Sequence, residues 1–123
     1  MEHVLKLSIG TFYIHNNYLI VNINEGKTVN SESNTILKDI IKKYYASKKF
    51  VYITHRIHSY AVDTSVYLGT SKIKNLVGFA VVSSKIIALF NAEIERQFLK
   101  KPFEIFTNIE DAIDWAESIV EEK

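Results

Sequence analysis

Leu5, Leu7 and Ile9 alternate with Val4, Lys6 and Ser8, the period of two of a half-buried strand, and Gly10 ends the pattern. Two β-rich runs, "TFYI" and "YLIVNI", lie on either side of "HNN". Asparagine tolerates the positive φ of a tight turn, so the two runs are expected to pair antiparallel. The period then changes. After "NEG", residues Ile36, Leu37, Ile40, Ile41, Tyr44 and Tyr45 recur at three- and four-residue spacing, which predicts a helix with one buried face and with Asn30 or Ser31 as its cap. "FVYIT", 50 to 54, is a continuous apolar run, the form taken by a central strand covered on both sides.

Beyond that strand, Asp63 is placed to cap a short helix over 64–68, its carboxylate accepting the amide hydrogen of Ser65 or Val66, and Gly69 suits the stop. "NLVGFAVVSS" predicts another fully apolar strand. Ser83 or Ser84 can cap a helix that carries Ile87, Phe90, Ile94 and Phe98 on one stripe, expected to fill the core, and Lys100, Lys101 and Pro102 close it. "FEIF" is a last short strand. "TNIED" opens the final helix with a capping box in which Thr107 caps and Glu110 reaches back. Trp115 and the stripe Ile109, Ala112, Ile113, Ala116, Ile119 and Val120 are expected to dock that helix. Strands alternating with helices after an initial hairpin imply βαβ units. The fold class is α/β, with a mixed, mostly parallel sheet, right-handed crossovers and an antiparallel N-terminal edge.

A chain of 123 residues is the size of one ordinary domain, 1–123, and its 47% apolar and 24% charged residues are the usage of a chain that folds unaided. The net charge of +1 gives no global field to attract nucleic acid, so no nucleic-acid partner is expected. Lys42, Lys43, Lys48 and Lys49 form the one tight basic cluster, at the C-terminal end of the predicted helix, where cations complement the dipole. Without cysteine there are no disulfides, thiolate metal sites or cysteine nucleophiles. The apolar runs are strand-sized and "MEHVLKLSIG" has no signal-peptide pattern, so no membrane span and a cytoplasmic location are expected.

Chemistry-bearing residues gather in "HRIHSYAVDTSVYLG", 55 to 69. His55, His58 and Asp63 suit a metal by type, but on an extended segment the three-residue spacing sends the histidines to opposite faces, and no second histidine pair supports them. Ser59 or Ser65 with His58 and Asp63 has the makings of a hydrolase, but no nucleophile elbow accompanies them. Gly10, Gly26, Gly69 and Gly78 never cluster, so no phosphate-cradling loop exists. No metal, cofactor or catalytic residue is expected, and the chain reads as a non-enzyme. Thr64 and Ser65, in the first turn of a predicted helix, are the phosphorylation candidates, since a phosphate there meets unsatisfied amides and the positive dipole end. Tyr44, Tyr45 and Tyr52 are expected in the core, whereas Tyr60 and Tyr67 flank the Asp63 cap and can line a pocket or a partner surface.

The order of elements and the residues together resemble the STAS domain, the module of bacterial anti-sigma-factor antagonists and of SpoIIAA-like and SEC14-like proteins. In STAS domains a strand leads through a loop to Asp-Ser or Asp-Thr at the start of a short helix, and "FVYITHRIHSYAVDTSVYLG" looks like that segment, with Asp63 and Thr64 at the Asp-hydroxyl pair. Val66 stands where many members have glycine. "NINEG", "NLVGFAVVSS" and "KPFEIFTNIEDAIDWA" extend the resemblance to small uncharacterised bacterial STAS/SEC14-like proteins.

The resemblance implies a SpoIIAA-like fold and a regulatory module controlled by phosphorylation. Arg56, His58, Tyr60, Asp63 and Tyr67 form its expected surface for a protein partner, because arginine and tyrosine are favoured interface anchors. A homodimer is among the arrangements this admits. The alternative is a carrier of a lipid or small apolar ligand, with a cavity beneath Phe79, Phe90 and Phe98. A closed core and an exposed 56–67 surface favour the first; a connected apolar cavity of several hundred Å³ favours the second.

Overall fold

The computed structural model describes residues 2–122. Six strands form one sheet: β1 (His3–Lys6), β2 (Gly10–Ile14), β3 (Tyr18–Ile23), β5 (Phe50–His55), β7 (Leu76–Val82) and β8 (Phe103–Phe106), hydrogen-bonded in that spatial order. β1, β2 and β3 pair antiparallel, and β3, β5, β7 and β8 run parallel. Parallel neighbours need long crossovers, and helices supply them. α1 (Ser33–Ile40) links β3 to β5, α2 (Val66–Thr70) links β5 to β7, and α3 (Ile86–Glu95) links β7 to β8, with α4 (Ile109–Glu122) after the last strand. The expected mixed α/β sheet with its N-terminal hairpin is what the chain forms.

Alternation along the central strands divides the core. Phe12, Ile14, Leu19 and Val21 pack with Leu37, Ile40, Ile41 and Tyr45 of the α1 segment, while Val51, Ile53, Ala80 and Val82 point the other way, onto Ala112, Ala116 and Ile119 of α4. A Cβ on Gly78 would lie 2.9 Å from the Trp115 ring, so α4 rests directly on the backbone of β7. α2 and α3 cover β7 and β8 through Val66, Tyr67, Phe79, Val81, Ala92 and Phe103.

Several boundaries differ from the periodic reading. The alternation of residues 4 to 9 breaks after Lys6, where paired Leu7–Gly10 backbone bonds of 2.9 and 3.2 Å close a turn, and Gly10 starts β2 rather than ending β1. A side chain there would run into the Asn22 carbonyl oxygen, and its absence is why β3 can pass so close. Gly69 does not stop α2. It lies inside the helix, and the space of its missing Cβ holds the Asn34 amide, which donates to the Val66 carbonyl at 2.9 Å. The cap of α4 is displaced by one residue: the Asn108 side chain accepts the Asp111 amide at 2.9 Å and donates to the Asp111 carboxylate at 3.0 Å, replacing the expected Thr107 and Glu110.

α1 continues as a π turn over Ile41–Tyr45, ending at Ala46 with φ of 44°. The wider turn seats the buried Tyr45 against the β2–β3 hairpin, where its hydroxyl lies 2.9 and 2.8 Å from the carbonyls of His15 and Tyr18. Lys42, Lys43, Lys48 and Lys49 are exposed around this end, as helix-end cations should be.

The largest departure concerns α3. Its expected core stripe faces away from the sheet: Phe90 is 67% exposed, Ile87, Ile94 and Phe98 are exposed with it, and the neighbouring Ile86 is 83% exposed. The buried side carries Ala92 and Glu95 instead. Small residues let the helix backbone approach the sheet, and the Glu95 carboxylate has partners only in the interior. That acid sets the rotation of the helix.

Candidate functional site

Thr54 at the end of β5 faces the same side as α2 and α3, and the chain then turns through residues 56–60. The turn is held to the segment after β3: the Ser59 amide donates to Glu25 at 2.9 Å, and the Gly26 amide donates to the Ser59 carbonyl at 2.9 Å. Two two-residue strands, β4 (Thr28–Val29) and β6 (Ala61–Val62), then pair parallel as a separate ribbon. With both ends fixed, the loop sends its longest side chains inward.

Arg56 is 8% exposed and Glu95 5%. The guanidinium grips the carboxylate in a bidentate pair, Nη2 to Oε1 at 2.5 Å and Nη1 to Oε2 at 2.9 Å, and Tyr67 donates to Oε1 at 2.5 Å. On the other side Arg56 Nε donates to the Tyr60 hydroxyl at 3.0 Å, which shares a 2.8 Å hydrogen bond with Thr54. Burying an ion pair is costly unless its polar atoms are hydrogen-bonded, and here each nitrogen and oxygen of the pair has a partner. Five residues thus tie β5, its loop, α2 and α3 into one polar chain.

The electrostatics follow from that packing. Burial alone would lower the Arg56 pKa, but the hydrogen-bonded Glu95 carboxylate more than reverses this and holds the guanidinium charged. Burial and then the Glu95 charge raise Tyr67, so its hydroxyl stays a donor. Tyr60 is raised by burial against the opposing effects of Arg56 and Thr54. A hydroxyl held protonated in this way is a positioning group, not a proton acceptor.

The network forms one wall of a cavity between α1, α2 and the sheet, with Phe12, Leu37, Tyr52, Val66 and Phe79 among its apolar lining and Asn34 and Thr70 among its polar lining. The cavity measures about 40 Å³, room for roughly three waters. Phe79 borders it, but Phe90 on α3 and Phe98 in the turn after it are exposed, so the expected apolar chamber beneath these three rings is not formed.

The residues expected to share one partner surface are therefore divided. Arg56 and Tyr67 are buried, and Tyr60 is turned toward them. His58 is exposed, with Nδ1 4.0 Å from Glu25. Asp63 is exposed in the turn before α2, which starts at Val66 with Ser65 as its N-cap residue, so Asp63 closes that turn and does not cap a helix over 64–68. The Asp63 carboxylate accepts the Ser65 amide at 3.0 Å, and that amide holds its pKa below the usual range. Thr64 is half-buried and Ser65 exposed. His55 lies half-buried at the end of β5, its pKa lowered by burial against the opposing pull of Glu110. No group of three His, Asp or Glu side chains converges as metal ligands would among the described residues.

Glu95 is the member that the periodic reading missed. Its signal was present: Glu95 follows Ala92 by three and Ala88 by seven, so an acid stands on the small-residue side of an otherwise apolar helix. An acid in that phase marks a buried partner on another element.

No family model matches the chain, and no curated protein matches it. Among solved structures it is similar to an uncharacterised protein of the DUF3478 family from Shewanella loihica, which has a SpoIIAA-like fold. The likeness covers 94% of this chain and 92% of that one, at 13% identity and a TM-score of 0.55. The chain thus has the SpoIIAA-like fold that its sequence resembles. No helix among the described residues is long and apolar enough to cross a membrane.

Proposed function

We propose that this protein is a non-enzymatic binding module that docks a protein partner on the outer face of α3. One observation carries the reading: α3 turns Ile86, Ile87, Phe90 and Ile94 to the surface, and Phe98 follows in the same stripe. Scattered apolar residues are ordinary on a surface, but several large ones on one helix face mark an interaction site. The buried Arg56–Glu95 pair supports this role, because it holds α3 with the apolar side outward.

The enclosed cavity supports the carrier reading less well, since pockets for drug-sized or lipid ligands run to roughly 300–1,000 Å³, and the two depressions of that size, about 420 and 650 Å³, are open at the surface and edged by Asp39, Lys42, Lys43 and Lys72. We assign phosphorylation control to Ser65 rather than Thr64, because Ser65 is the more exposed hydroxyl. A phosphate on it would stand beside the Asp63 carboxylate, and their repulsion would loosen the first turn of α2, next to the exposed Leu68.

The reading is tested with a photo-cross-linking residue at position 90 and, as control, at the exposed position 114 on α4. Covalent protein adducts are expected at 90 and not at 114. Equal labelling at the two positions, or none at either, rejects α3 as the docking face.

A further inference from the structure

We infer that the occupant of the α3 face is a second copy of the same chain, paired antiparallel about a twofold axis that passes beside Phe90. The inference rests on the docking role just proposed for that face and names its partner. The ridge Ile86, Phe90, Ile94 is spaced four and four, so it reads the same in both directions. A twofold interface sets one patch against itself, residue i on j and j on i, and a ridge symmetric about Phe90 does so with its large side chains in register. Reversal about Phe90 sets Phe90 on Phe90 of the other copy and Ile86 on its Ile94.

Ridges of this spacing pack against each other in the commonest helix-to-helix crossing, at about −50°. Charge offers no obstacle. The ridge itself is uncharged, and the adjacent Glu93 pairs with Arg96, just past the helix end, at 3.4 Å. An antiparallel pair also opposes the two helix dipoles favourably. The four exposed apolar side chains within α3, Ile86, Ile87, Phe90 and Ile94, offer on the order of 500 Å² of apolar surface per copy. With their flanking atoms on both sides, this reaches the roughly 1,000 Å² that separates a specific interface from an incidental one.

Because the chain contains no cysteine, single introduced cysteines report the geometry without interference. Phe90→Cys is expected to form a 90-to-90 disulfide under mild oxidation. A mixture of Ile86→Cys and Ile94→Cys chains should cross-link, whereas neither should cross-link with itself. Across the twofold, like positions at 86 lie about 12 Å apart along the helix, beyond disulfide reach. Light scattering should find the wild-type chain at twice its monomer mass and Phe90→Glu at monomer mass with an unchanged circular dichroism spectrum.

A wild-type chain that stays at monomer mass from micromolar to millimolar concentration overturns the pairing, as does self-cross-linking at 86. If that monomer still gives protein adducts at position 90, the docking role stands and only the second copy is rejected. If it gives none and instead binds phosphatidylglycerol vesicles through position 90, both are rejected.

Discussion

At the scale of single residues, the molecule is organised around a charge pair buried between a loop and a helix. Removing one member strands the other without water, so Glu95→Leu should cost about 3 kcal/mol, whereas the double change Arg56→Leu, Glu95→Leu should cost less than either single change. Urea unfolding of the three variants decides this, and a double variant weaker than both singles would refute the account. Tyr67→Phe removes one charged hydrogen bond and should cost about 1.5 kcal/mol in the same assay. His55 gives a pH dependence of definite sign. Its folded pKa lies below the ordinary 6.5, so below that value the unfolded chain binds the proton more readily. Its contribution is complete above pH 6.5 and is lost as pH falls toward and through the folded pKa. His55→Gln should flatten the fall of melting temperature between pH 7 and 5. The sequence brought Arg56, Tyr60, Asp63 and Tyr67 together in one stretch but not the direction each takes, because a loop side chain goes where its partner is. Glu95 lies 39 residues from Arg56, so that partner was hidden by distance along the chain.

At the scale of elements, period was a good guide to type and a poor guide to rotation. The helix over residues 86–95 was legible, yet its buried side was reversed, since periodicity finds a stripe without saying whether the core or a partner covers it. Short elements were the least legible: β4 and β6 have two residues each, too few to carry a period. Caps were misplaced by one residue where two suitable side chains adjoin, as at Thr107 and Asn108. The π turn makes its own prediction. Ala46 is held at φ of 44°, where a Cβ is strained by roughly 1–3 kcal/mol, more than the 0.5–1 kcal/mol that glycine loses in unfolded-state entropy. Ala46→Gly should therefore raise stability by about 1 kcal/mol, measured as a higher urea midpoint with unchanged slope.

At the scale of the whole molecule, the sheet is covered unequally. α1, α2 and α3 share one face, while α4 alone covers the apolar centre of the other. Cutting the chain before Thr107 should leave Val51, Ile53, Ala80 and Val82 bare and produce aggregation, detectable by light scattering; a soluble, cooperatively melting fragment would contradict this packing. This level was the most legible in the sequence, because alternating apolar strands and amphipathic helices leave few ways to stack. The same arrangement has a consequence for biosynthesis. The ribosome makes residues 109–122 after all six strands, so the sheet can assemble on its α1 side while the opposite side still waits for its cover. During that interval the nascent chain shows Val51, Ile53, Ala80 and Val82 to whatever is nearby. Ala112 and Ala116 close the gap only when the last helix folds down, which makes the final stretch of translation the period in which a chaperone has most to shield.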